Sequence, residues 1–111
     1  MKILVLCDQG NNRSVTIAHQ LKYWGHDILT AGLETNGVIT IMMLAEWADR
    51  IIFTDKHQQL PAHIIGYEHI TQLWDVGPDV YPRPLNKDLL RKVKQLMEEH
   101  TNEYHPTTKL D

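Results

Sequence analysis

Lys2-Ile3-Leu4-Val5-Leu6-Cys7, running straight into Asp8-Gln9-Gly10-Asn11-Asn12-Arg13-Ser14, is the stretch on which the fold turns. Its first part is an apolar run rich in Ile, Leu and Val that stops at a polar loop, the pattern of a buried strand feeding a turn. Ser14 is a good helix N-cap residue, and Ile17, Leu21 and Trp24 recur at helical spacing until Gly25, which suits a left-handed stop. The first 25 residues therefore read as strand, loop and helix.

The same grammar repeats outward. Asp27 to Ala31 reads as a second strand ending at Gly32, and Thr35 or Asn36 can cap a helix carrying Val38, Ile41, Met42, Ala45 and Ala48 on one face. Met42 and Met43 with Trp47 read as packing of that helix. Arg50 to Thr54 is a third strand, Asp55 to Leu60 a short helix broken before Pro61, and a fourth strand falls within Glu68 to Trp74. Residues Asp75 to Pro84 hold one glycine and three prolines, so they form a loop. From Asn86 onward Leu89, Leu90, Val93, Leu96 and Met97 make an amphipathic helix. Alternating strands and helices predict an α/β domain whose four-stranded parallel sheet has helices on both faces.

At 111 residues there is room for one core, with the domain expected over 1–105 and a polar tail over 106–111. No apolar run is long enough for a membrane span or a secretory signal, which leads to the expectation of a cytoplasmic chain without a membrane partner. A net charge of -3 argues against a partner held by many phosphates, so no nucleic acid is expected. The single cysteine can form no intramolecular disulfide, and the seven histidines include no His-x3-His pair around a helical Glu, so no metal is expected.

Parallel sheets bind ligands at the carboxyl ends of their strands, and Cys7 lies at such an end. Residues Cys7 to Arg13 sit between a strand and a helix N-terminus, where unpaired amides and the helix dipole favour an anion. Cys7 at the mouth and Arg13 at the far end put a sulfur nucleophile beneath the anion and a planar donor beside it. The thiolate, the nucleophilic form, is favoured in such surroundings. Ser14 can cap the helix or donate to Cys7, and Gly10-Asn11-Asn12 supplies residue types that tolerate positive φ. A small apolar cysteine ending a core strand is the plain alternative.

With Cys7 to Ser14 reading Cys-x5-Arg-Ser, and through Thr30-Ala31-Gly32, Ala45 to Phe53 and Asp75 to Tyr81, the chain resembles the low-molecular-weight protein tyrosine phosphatases, most of all their short bacterial type. The resemblance implies a flavodoxin-like sheet in the order 2-1-3-4 and a cofactor-free phosphomonoester hydrolase, a protein tyrosine phosphatase working through a cysteinyl-phosphate. The substrate would be a phosphorylated protein or a small phosphomonoester. Cys7 would be the nucleophile, Arg13 the phosphate clamp and Asp79 the general acid, with Asp75 as its competitor. Asp8, Gln9, Gly10, Asn11, Asn12, Arg13 and Ser14 would form the phosphate-binding loop, and Tyr81 would line the cleft or pack its ring against the start of the last helix. The chain departs from the family in carrying Gly10 where its loops have asparagine, and Asn12 where many have a second cysteine. A non-catalytic phosphate- or phosphoprotein-binding module would keep the loop without needing an acid. The IIB proteins of the sugar phosphotransferase system, which carry phosphate on cysteine, share its beginning; arsenate reductases share the loop but need further cysteines.

Overall fold

The computed structural model describes residues 1–106. Of the expected tail, residues 107–111 lie outside the described residues. In chain order the elements are β1 (Lys2–Cys7), α1 (Arg13–Lys22), β2 (Asp27–Gly32), α2 (Val38–Trp47), β3 (Arg50–Phe53), a single 3-10 turn (Glu68–Ile70), β4 (Thr71–Leu73), α3 (Lys87–Glu99) and α4 (Thr101–Tyr104). The four strands form one sheet in the order β2-β1-β3-β4, every pair parallel. This is the expected single α/β domain with the expected strand order. No helix among the described residues is long and apolar enough to cross a membrane.

Side chains alternate across a strand, so β1 feeds two cores. Ile3 and Val5 pack with Ile17 and Leu21 of α1, Leu89, Val93 and Met97 of α3, and Tyr104 of α4. Leu4 and Leu6 face the other way, against Ile41 and Ala45 of α2 and Ile64. With both faces covered the strand can be apolar throughout, which is why Ile3 to Leu6 reads as an unbroken run. The register pairs Leu6 with Ala31 and with Phe53, so the chain leaving β1 meets the loops after β2 and β3 at one edge.

Three helix expectations are corrected. Helix α1 begins at Arg13 with Asn12 as N-cap residue, and the Asn12 side chain makes no capping bond. Ser14 lies inside the helix because its hydroxyl is taken up by Cys7. Helix α2 is preceded by Gly37 rather than by Thr35 or Asn36 as cap, since Asn36 Oδ1 accepts from the Gly32 amide and Thr35 Oγ1 donates to the Gln9 carbonyl. Residues 55–60 form no helix: Gln58 Oε1 accepts from the Thr54 amide, Thr54 Oγ1 and the Asp55 amide, folding the segment into a turn around one side chain. On α2 the core face is Ile41 and Ala45, with Leu44 and Ala48 beside them, while Val38, Met42 and Met43 are exposed. Their exposure overturns the reading of both methionines as packed.

Candidate active site

Strand β1 delivers Cys7 to the carboxyl edge of the sheet, where the next residues wrap into a loop before α1. The carbonyls of Cys7 and Asp8 accept from the amides of Leu33 and Glu34, and the Gln9 carbonyl accepts from Thr35 Oγ1. Three consecutive carbonyls thus face the 33–35 loop. Among the described residues, no hydrogen bond to a protein acceptor runs from the amides of Gln9, Asn11, Asn12, Arg13 and Ser14. These orphan donors at the start of α1 are what an anion-binding cradle requires.

Gly10 makes the wrap possible. Its φ of +75° is one that glycine adopts without cost, and a Cβ there would stand 2.9 Å from the Gly32 amide nitrogen. The Gly10 amide turns inward and donates to Cys7 Sγ at 3.0 Å, and Ser14 Oγ lies 3.1 Å from the same sulfur. Cys7 is 2% exposed, but its sulfur faces these two loop groups.

Arg13 is 1% exposed and lies at the centre of a polar cluster. Nη2 donates to Asp8 Oδ2 at 3.2 Å, while Nη1 donates to the Gly77 carbonyl at 3.0 Å and to Asp55 Oδ2 at 3.4 Å. Nε is buried with no hydrogen-bond partner among the described residues. Burial works against the Asp8 carboxylate, but hydrogen bonds from Gln58 and Arg13, and the charges of Arg13 and His57, outweigh it and hold the group below the ordinary aspartate value. Asp8 therefore serves the loop through a side chain that clamps Arg13. His57 spans Asp8 and Asp55, and Gln58 Nε2 donates to Asp8 Oδ1.

The loop over 75–84 is tied to the cradle twice, by Arg13 Nη1 on the Gly77 carbonyl and by Asn12 Nδ2 on the Tyr81 carbonyl at 2.8 Å. Asp79 lies between these tethers, exposed, and its carboxylate has no hydrogen-bond partner among the described residues. Asp75 instead uses Oδ1 to accept from the Gly77 amide at 2.9 Å, bracing the turn. Gln9 projects outward to Glu34, and Asn11 is exposed without a side-chain hydrogen bond among the described residues. Tyr81 packs its ring into the core beside Leu89 and Val93, its hydroxyl donating to the Val76 carbonyl and accepting from Lys92 Nζ. That placement corrects the expectation of a cleft-lining ring in favour of its alternative, packing against the last helix: burying the ring satisfies both its apolar face and its hydroxyl.

Asp55, His57 and Gln58 escaped the sequence reading, which assigned them to a helix. The signal was available, because the strand next to β1 must end at the same edge, and polar residues just after it fall beside Cys7. A cleft of mixed polar and apolar lining, with Phe53, Gln58, Leu60, Ile64, Tyr67 and Glu68 in its walls, includes none of Cys7, Arg13 or Asp79.

No family model and no curated protein matches the sequence. Among solved structures, the chain is similar to the YwlE arginine phosphatase from Geobacillus stearothermophilus, with a TM-score of 0.56 over 94% of this chain and 97% of that one, at 14% identity. At that identity the likeness establishes the fold, and the chemistry must be argued from the residues.

Proposed function

We propose that this chain is a phosphomonoester hydrolase, acting as a protein tyrosine phosphatase through a cysteinyl-phosphate intermediate. One observation carries the reading: the Cys7 sulfur lies at the base of a loop whose amides from Gln9 to Ser14, apart from that of Gly10, are undonated among the described residues, beside a buried Arg13 whose Nε has no partner among them. Those donors match the equatorial oxygens of a phosphoryl group, and their preorganisation stabilises the charge that develops there in transfer. The Cys7 thiolate attacks phosphorus as the phosphorus–oxygen bond to the leaving group breaks. Asp79 gives that oxygen a proton, then takes one from the water that cleaves the sulfur–phosphorus bond and releases inorganic phosphate. Donation by Ser14 Oγ and the Gly10 amide stabilises the sulfur as the departing thiolate.

Turnover of para-nitrophenyl phosphate tests this. Cys7→Ser should abolish it, and Asp79→Asn should lower kcat by about 100-fold or more, the usual range for loss of a general acid. An inert wild type that still binds vanadate would mean a phosphate-binding module, and one that binds neither would remove the reading altogether. A second substrate class has its own support. The inward Tyr81 ring offers no stacking platform, and the exposed carboxylates of Glu34 and Asp79 suit a cationic leaving side, as in phosphoarginine, the class named for the structurally similar phosphatase. Comparing kcat/KM for phosphotyrosyl and phosphoarginyl peptides of one sequence decides between them.

A further inference from the structure

Four charged or titratable side chains close into a ring beside the cradle. Arg13 reaches Asp8 through Nη2 and Asp55 through Nη1, and His57 joins the same two carboxylates from the far side, Nε2 3.2 Å from Asp8 Oδ2 and Nδ1 3.2 Å from Asp55 Oδ1. A neutral imidazole carries one N–H, so one of these contacts would set a lone pair against a carboxylate. Only the imidazolium donates to both. The charges point the same way. One guanidinium between two carboxylates leaves a net negative cluster where an anion is to bind, and a protonated His57 cancels the excess.

We propose that His57, as the imidazolium, is a positioning residue that sets the cradle's affinity for dianions. It holds the two carboxylates that clamp Arg13 and neutralises the one that Arg13 cannot. The inference rests on the phosphate-cradle reading and adds to it a pH dependence. The groups facing His57 are Asp8 from the loop after β1 and Asp55 from the loop after β3, with Arg13 of α1 behind both and Gln58 donating to Asp8. The Asp55 hydrogen bond first, and then, against desolvation, the charges of Asp8 and Asp55 raise the His57 pKa above the ordinary imidazole value. Anion binding and protonation are then linked: a dianion in the cradle favours the imidazolium, and loss of that proton weakens the dianion.

Tungstate, a dianion through the neutral range, is the probe, titrated from pH 6 to 9 into two chains that both carry Cys7→Ser so that the thiol adds no titration. With His57 present the affinity should fall about tenfold across the His57 titration, the equivalent of a one-unit rise in its pKa on binding. With His57→Gln it should stay flat at the weaker level. NMR of the His57 ring should show its pKa rising on saturation with tungstate, and Asp8→Asn should strengthen binding at pH 9 and shrink the pH slope. Equal slopes with and without His57, or a His57 pKa indifferent to tungstate, would overturn the proposal while leaving the cradle standing. Failure of the His57 chain to bind tungstate at any pH would instead overturn the cradle reading, and this proposal with it.

Discussion

Gly10 packs against the 31–32 backbone and Gly32 against the Gln9 backbone, so neither position has room for a side chain. A Cβ on Gly10 would come within 2.9 Å of the Gly32 nitrogen, and one on Gly32 would come 2.5 Å from the Gln9 carbonyl carbon. Asparagine would tolerate the positive φ, but its Cβ would still press on the 31–32 backbone. Gly10→Ala should therefore cost about 1–3 kcal/mol, combining φ strain with a backbone clash, read as a lower urea midpoint. Gly10→Asn should cost less, and equal costs would show that the close approach outweighs φ. Arg13 poses a different problem, a guanidinium almost wholly out of water. Asp55→Asn leaves that charge still paired with Asp8 and should cost about 1.5–3 kcal/mol, the range for one charge-assisted hydrogen bond, read the same way.

The turn after β3 shows one side chain doing the work of an element. Gln58 Oε1 accepts from three donors of residues 54 and 55 while its Nε2 donates to Asp8, so a 9%-exposed amide binds this turn to the cradle. Gln58→Ala strands buried donors and should lower stability by about 2–4 kcal/mol in denaturant unfolding. Gln58→Glu keeps the acceptor but sets a third carboxylate against Asp8 and should weaken tungstate binding more than it weakens the fold. Apolar periodicity made β1, β3 and α3 legible, because Ile3 to Leu6, Ile51-Ile52 and the Leu89, Val93, Met97 stripe are buried as their spacing predicts. The residue types of the cradle were legible too, since Cys7 to Ser14 is contiguous in sequence. The helix boundaries and the charged ring were not. Asn12, Ser14, Thr35 and Asn36 have the chemistry of caps, yet each spends its side chain elsewhere, on Tyr81, Cys7, Gln9 and Gly32 respectively. Asp8 and His57 stand 49 positions apart, and nothing local says that they touch.

Taken as a whole, the molecule places its chemistry at the carboxyl edge of the sheet, while α4 fastens the strands from the α1 and α3 side. Glu103 accepts from Arg50 Nε of β3 at 2.6 Å and from Gln72 Nε2 of β4 at 2.5 Å, and the buried Tyr104 hydroxyl donates to Gln72 Oε1 at 2.7 Å. Burial opposes the Glu103 carboxylate, but hydrogen bonds from Arg50 and Gln72 outweigh it and hold the group below the ordinary 4.5. The native state thus binds this proton less readily than the unfolded chain does. Glu103 contributes stability that is fully present above the unfolded value and is lost as pH falls through the lowered native one. The pair is about one-third exposed, which limits the contribution to about 0.5–1 kcal/mol after solvent screening. Asp8 titrates in the same direction, so wild type alone would mix the two; comparison with Glu103→Gln cancels Asp8. The difference in unfolding free energy between these chains should be complete at pH 7 and shrink as pH falls below the ordinary 4.5 and through the lowered native value. A difference that persists unchanged into acid would mean that α4 is held by Tyr104 packing and amide hydrogen bonds, with no contribution from the Glu103 charge.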